Sequence, residues 1–525
     1  MAEQVVDLSR RALIHRVGRL GGVSAAYRTM AAMGLLPIPA AYAGPPVLAP
    51  GQGKTVAIIG AGIAGMVAAW ELSRVGYRCV VLEARNRPGG RNWTLRGGDL
   101  VVETDSFQQV SWDKAPHLYF NPGPGRIPYH HQGILSYCRD FGVEMEVMSN
   151  DNRAALLHDD AAFDGKPQIA RRVVNDLRGY VAELAAKAVD RSALSAPVSE
   201  ADLVQVRAML RSFGALDRDM HYRGSSRAGY AQAPGGGLEA GTRLAPLDLR
   251  RLLEADFWRY KSQFGESWTM AATMMQPVGG MGRIGEAFGR KLGDMITYEA
   301  EITELRRDGD RARIVWRHAS TKAAHVLEAD MAICTIPAVL LKTVPSDFTP
   351  AVRSALAAID YVPAGKVAFQ AERRFWELDA QIYGGLSWTS RDITQIWYPS
   401  TGLQKRKGIL VGAYIWSDKE GRAFAAKKLP QRLADALADG EHLHPGYGKD
   451  LRLGISVAWP KIRFSGAGWA EWSRAARTEA YPRLLAGDGP YLFAGEHMSH
   501  ITGWQEGAVR SAHVAIGDVA RRLAG

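Results

Sequence analysis

The chain has 525 residues, 47% of them hydrophobic and 23% charged, with a formal net charge of +11 and a pI near 9.5. That length exceeds one compact core and implies two or three domains, and the balance excludes a disordered or fibrous chain. The basic residues are spread rather than clustered, so they read as a solvated surface and no nucleic-acid partner is expected; Cys79, Cys138 and Cys334 are too scattered for a zinc site or a disulfide framework, so no metal is expected.

Ser9-Arg10-Arg11-Ala12-Leu13-Ile14 looks like a twin-arginine export signal, and Ala41-Tyr42-Ala43 resembles a cleavage site. Arg16, Arg19 and Arg28 interrupt its apolar part, and Met30–Tyr42 is short of the ~20 residues a membrane span requires. Residues 1–49 therefore read as an N-terminal extension carrying a decayed or uncleaved signal. Cytoplasmic residence and twin-arginine export both stay open.

A Pro/Gly-rich joint ends at Gly53, after which Thr55–Ile59 predicts a strand, Ile63–Val75 a helix and Cys79–Leu82 a second strand. Between 151 and 275, Arg171–Asp190 and Glu200–Phe213 predict helices broken by glycine-rich turns, giving a mostly helical insertion. Strands are expected at Ile296–Tyr298, Arg313–Trp316, Met331–Thr335, Lys366–Gln370, Gln395–Tyr398 and Ile409–Ile415. A buried strand at Pro490–Ala494 and a helix over Ala508–Leu523 close the chain. The fold class is α/β and α+β multidomain: a discontinuous Rossmann-type domain (50–110, 276–335 and 455–525), a mixed-sheet domain (111–150 and 336–454) and the helical insertion (151–275).

Gly60-Ala61-Gly62-Ile63-Ala64-Gly65 fits GxGxxG between a strand and a helix. In that pattern the first glycine makes the turn, the second admits a pyrophosphate and the third lets helix and strand approach. The helix N-terminus adds unpaired N–H groups and a positive dipole end. Glu83 ends the second strand at the distance expected of a ribose-binding acid.

The run that follows, Glu83-Ala84-Arg85-Asn86-Arg87-Pro88-Gly89-Gly90-Arg91-Asn92-Trp93-Thr94, resembles the EAxxRxGGRxxT segment of the flavin-containing amine oxidase family. Gln276–Met281, Cys334–Pro337, Phe493–His497 and Gly503–Ala508 resemble its middle and C-terminal segments, so the resemblance covers about 50 to 525. It implies FAD, with Gly60, Gly62, Ala64, Gly65, Glu83, Ala84, Arg85, Gly89, Gly90, Arg91, Ile302, Gly495, Glu496, Gly503 and Trp504 at the cofactor. One departure is Glu103-Thr104-Asp105-Ser106, where the family has acid-x-Gly-Ala. No cysteine stands near Ser465–Gly468, where the covalent-flavin cysteine of monoamine oxidases would fall, so FAD is expected to be noncovalent.

Gly123-Pro124-Gly125-Arg126-Ile127-Pro128 resembles the G-x-x-R-[IL]-P segment of bacterial and other L-amino-acid oxidases, whose arginine binds the substrate carboxylate. A guanidinium fork matches a carboxylate bidentately, a group that monoamine and polyamine oxidases do not meet. The resemblance further gives Tyr414 a share in the carboxylate. It gives Lys366, ten residues before Trp376, a water beside flavin N5, and Trp504 an aromatic wall, with Trp469 a second wall candidate. The implied reaction is oxidation of an L-amino acid by dioxygen to a 2-oxo acid, ammonia and hydrogen peroxide. An amide-forming amino-acid monooxygenase and a monoamine or polyamine oxidase are the alternatives. A homodimer or higher homo-oligomer is expected, and no membrane span.

Overall fold

The computed structural model describes residues 42–189 and 199–524, together with Leu13, His15, Val17, Arg19, Met30 and Met33. The chain divides into two units, Met1–Pro45 and Pro46–Gly525. The twin-arginine-like stretch lies almost wholly outside the described residues. No helix among those residues is long and apolar enough to cross a membrane.

The second unit is organised by two sheets. The first has five parallel strands in the order Ile296–Thr297, Arg78–Leu82, Thr55–Ile59, Met331–Cys334, Tyr491–Phe493. Thr55-Val-Ala-Ile-Ile sits at its centre because β-branched side chains suit a pleat covered on both faces, and Val56 to Ile59 are all buried. Helix Ile63–Arg74 follows after a three-residue turn, and the closing helix Gln505–Ala524 packs beside it. Apart from Thr55–Ile59 beside Arg78–Leu82, strand neighbours here lie well over a hundred residues apart in sequence, so the sheet draws together both ends of the unit.

The second sheet has seven strands in the order Leu451–Ala458, Gly365–Ala371, Gly408–Ile415, Gln395–Tyr398, Gly385–Trp388, Leu156–Leu157, Gln168–Ile169. Gly365–Ala371 lies inside it, paired on both sides and buried at every position. Leu451–Ala458 runs across the 454/455 boundary placed from the sequence and belongs to this sheet. A separate three-stranded antiparallel sheet, Ala300–Asp308, Arg311–His318 and Ala324–Ala329, is longer than the single strand expected there.

The segment 151–275 contains helices Ala170–Ala188 and Glu200–Gly214, the second opened by a capping box between Ser199 and Asp202. It is less helical than its composition implies. Its first residues supply two strands to the seven-stranded sheet, and the glycine run after Pro234 forms the tip of the hairpin Tyr230–Gln232/Thr242–Arg243. Residues 255–271 then form short turns that carry Tyr260, Phe264 and Met270 toward the site.

Candidate active site

One cavity of about 770 Å³ runs from the end of the parallel sheet to the face of the seven-stranded sheet. Every cofactor residue expected from the sequence lines it except Gly65. A Cβ on Gly65 would lie 1.9 Å from the Gly60 carbonyl oxygen, so this glycine sets the packing of helix on strand and not a contact with a ligand. At Gly62 a Cβ would meet nothing within 4 Å, because that face opens into the cavity. Gly62 also starts helix Ile63–Arg74 with no side-chain cap and no acid in its first turn. Those free N–H groups make the opening suited to an anion.

Glu83 is buried at the head of the turn. Its Oε2 accepts from Ala61 N at 2.8 Å and its Oε1 from Arg85 N at 2.9 Å, which pins the glycine loop to the second strand. Gly89 N donates to Ala61 O at 2.8 Å and bridges the two glycine segments. Arg91 pairs with Glu496 at 2.9 Å, and Glu496 also accepts from Gly503 N at 3.0 Å. Strand Ala300–Asp308 contributes Ile302, while Ser465 accepts from Arg85 at 2.9 Å. Neither a cysteine nor a histidine lines the cavity. Glu103, in the departing segment, is not at the cavity; it forms a fully buried pair with Arg432 at 2.8 Å.

The opposite end gathers Arg126, Lys366, Tyr414 and Trp504. Lys366, 2% exposed, donates from Nζ to Asn121 O at 3.0 Å and Gly123 O at 2.7 Å. It faces Tyr414 across the strand pair, with Nζ 4.6 Å from that ring's centroid. Burial, and next the charge of Arg126, bring the Lys366 ammonium down to about 7. Arg126, 9% exposed, donates to Asn150 Oδ1 at 2.7 Å, and Asn150 is in turn held by Met270 O at 2.8 Å. Burial lowers Arg126 to about 10 against the opposing pull of Tyr414 and Tyr260, leaving it a cation at neutral pH. Burial likewise raises the Tyr414 phenol to about 12. Among the described residues no carboxylate forms an ion pair with either cation. Of the acids that line the cavity, Glu83, Glu301 and Glu496 are engaged with Arg85, Arg463 and Arg91, and Glu471 pairs with neither Arg126 nor Lys366. A buried guanidinium with a buried lysine beside it, neither ion-paired among the described residues, makes this end chemically suited to an anionic group.

Aromatic side chains close the space. Trp504 and Trp469 both line it, and Gly503 fits against the Trp469 ring, which a Cβ would meet at 3.4 Å. Tyr260, Phe264, Met270, Gln395, Trp397 and Trp416 line it too and were not anticipated. Alternation along Gln395–Tyr398 puts Gln395 and Trp397 on one face, a signal readable only once the inward face is known. Trp376 does not reach the cavity; it is buried in the core against Phe375 and Tyr398. Outside the cavity, His158, Asp160 and His442 hold ligand atoms within 4.8 Å of one another, but Asp160 pairs with Arg391 at 3.0 Å.

The profile of the flavin containing amine oxidoreductase family matches residues 63–518, and the chain belongs to that family. It is thus an oxidoreductase that acts on amines and takes a flavin cofactor. It is 27% identical over 496 residues to the flavin-dependent L-tryptophan oxidase RebO of Lentzea aerocolonigenes, covering 88% of this chain and 97% of that protein. It is 22% identical to the L-amino-acid oxidase of Bungarus fasciatus, covering 89% of this chain and 87% of the other. Among solved structures, cyclohexylamine oxidase from Brevibacterium oxydans IH-35A matches 90% of this chain and 100% of its own, with a TM-score of 0.59 at 17% identity, a likeness of fold. The residues present fit a flavin dinucleotide: the open face at Gly62 and the uncapped helix start lie together at one end of the cavity.

Proposed function

We propose that the protein is an FAD-dependent L-amino-acid oxidase, converting an L-amino acid, water and dioxygen into a 2-oxo acid, ammonia and hydrogen peroxide. The observation that carries this reading is Arg126, a buried guanidinium beside Tyr414 with no acidic partner among the described residues, at the end of the cavity away from the glycine turn. FAD would be held noncovalently, its pyrophosphate at Gly60, Gly62 and the helix start. Glu83 would take the ribose on lone pairs not used by Ala61 N and Arg85 N. The Rossmann-type domain would comprise 50–110, 276–335 and 455–525, with 111–150 and 336–454 carrying the substrate.

Bound FAD supplies the two-electron acceptor for the Cα–H bond and passes the electrons to dioxygen. The protein's own part is placement. Arg126 takes the carboxylate through two N–H groups and Tyr414 adds its hydroxyl, so Cα has one orientation. Trp504 and Trp469 confine the amine and exclude bulk water. Lys366 uses two N–H groups on backbone carbonyls and keeps the third for a water. With its ammonium near 7, Lys366 is able to give or take a proton at neutral pH.

A panel of L- and D-amino acids and their decarboxylated amines, scored for peroxide, ammonia and organic product, tests the reading. A 2-oxo acid from L-amino acids is expected. An amide product would replace it with an amino-acid monooxygenase, and turnover confined to amines with an amine oxidase. Flavin that stays on the acid-denatured chain would overturn the noncovalent assignment.

A further inference from the structure

Trp397 touches each polar group at the receptor end. The Arg126 guanidinium carbon stands 4.7 Å from its ring centroid and Lys366 Nζ 4.8 Å, while the Tyr414 ring meets it edge-on at 5.1 Å. The approach is close enough to dictate a neighbour: a Cβ on Gly125 would come within 2.8 Å of Trp397 Cζ3. The glycine preceding Arg126 therefore serves the indole. Among the described residues no carboxylate pairs with these two cations, and the Trp397 ring is the electron-rich face that both of them share.

The indole is itself tethered. Trp397 Nε1 donates to Gln395 Oε1 at 2.6 Å, both groups being buried. An indole N–H only donates, so the amide oxygen is the atom that must face it, which fixes the orientation of the amide. Gln395 and Trp397 share a face two residues apart on Gln395–Tyr398, and a short tether of this kind sets the plane of the ring.

We propose that Gln395 and Trp397 act as one positioning unit, in which Gln395 fixes the plane of the indole and the indole holds Arg126 and Lys366 where the substrate carboxylate meets them. The inference rests on the amino-acid reading for the identity of that carboxylate. It adds two residues that do no chemistry themselves but set how well the anchor works.

A double-mutant cycle on the flavin-loaded protein tests it, using Gln395→Leu, Trp397→Phe and the double variant. The probe is 3-phenylpropionate, a carboxylate with no amine to oxidise, measured by titration calorimetry beside 2-phenylethylamine, which has no carboxylate. Flavin content and melting temperature first establish that each variant is folded, and Trp397→Phe keeps a ring in place without the N–H. Each single change breaks the tether between the indole N–H and the Gln395 amide and is expected to weaken 3-phenylpropionate about 10-fold, the scale of one buried hydrogen bond. The double variant should be no worse than the weaker single one, because Gln395 has nothing left to hold. Binding of 2-phenylethylamine should stay within about 2-fold of wild type throughout. Losses that multiply in the double variant, or fall equally on acid and amine, overturn the positioning unit. Wild-type protein that oxidises 2-phenylethylamine in preference to L-phenylalanine would instead overturn the amino-acid reading, and a coupled cycle would survive that result.

Discussion

Replacing Arg126 with leucine removes, among the described residues, the guanidinium that faces the receptor end with no acidic partner. Its hydrogen bond among the described residues is to Asn150, and rings of Trp397 and Phe264 lie 4.7 and 5.2 Å away. The orphaned Asn150 oxygen costs the variant the same with and without substrate, so it cancels from the binding comparison. What remains is the carboxylate's lost partner in a buried place, about 2–5 kcal/mol, which is roughly 30- to several-thousand-fold in kcat/KM. Burial of the guanidinium argues for the upper part of that range. An amine with the same side chain never uses the guanidinium and should lose far less. Removing the cation also removes the second cause of the low Lys366 value, so the alkaline-side behaviour of the variant should move upward in pH. A peroxide-coupled assay of an amino acid and its own amine, on wild type and Arg126→Leu, reads all of this. Equal losses for both substrates would refute the carboxylate argument.

Three further outcomes are expected. Gly62→Val should fold but lose flavin, since its side chain enters an open face, whereas Gly65→Val should fail to fold because its Cβ strikes the Gly60 carbonyl; equal flavin retention in Gly62→Val, read by absorbance after desalting, would move the cofactor elsewhere. Lys366→Met should keep flavin and lose most turnover. Because Lys366 is depressed in the folded state, the unfolded chain binds the extra proton between about 7 and its ordinary 10.5, so wild-type stability rises with pH across that window and the melting-temperature advantage of Lys366→Met should shrink; an advantage independent of pH refutes the burial argument. Arg432→Met should destabilise by about 3–5 kcal/mol in chemical denaturation by leaving Glu103 buried and unpaired, and adding Glu103→Leu should restore part of it.

The strand, glycine turn and helix at Thr55–Arg74 are legible in sequence because their signals are local: a β-branched run, a hexad and an apolar helical period. Arg126 and Lys366 are legible through short patterns around them. Strand Ala300–Asp308 is not, since its middle positions are half-buried and its end is rich in arginine, which reads as solvated surface. Trp376 shows the opposite failure, a spacing that marks Lys366 while the tryptophan itself fills a core. Gln395, Trp397, Tyr260 and Phe264 become neighbours of Arg126 only through pairing between distant strands and turns. No window of sequence contains that adjacency.

The order of strands in the parallel sheet has a temporal consequence. Thr55–Ile59 is made more than four hundred residues before Tyr491–Phe493 completes its sheet, and the helix that packs beside Ile63–Arg74 comes later still. At translation speeds of about 5–20 residues per second, the nascent glycine turn waits tens of seconds for its walls. During that interval the apolar strand edges are unprotected and flavin has nowhere to stay. Loading therefore waits for the strand Tyr491–Phe493, and fragments truncated before residue 490 should emerge colourless however well their glycine hexad is preserved.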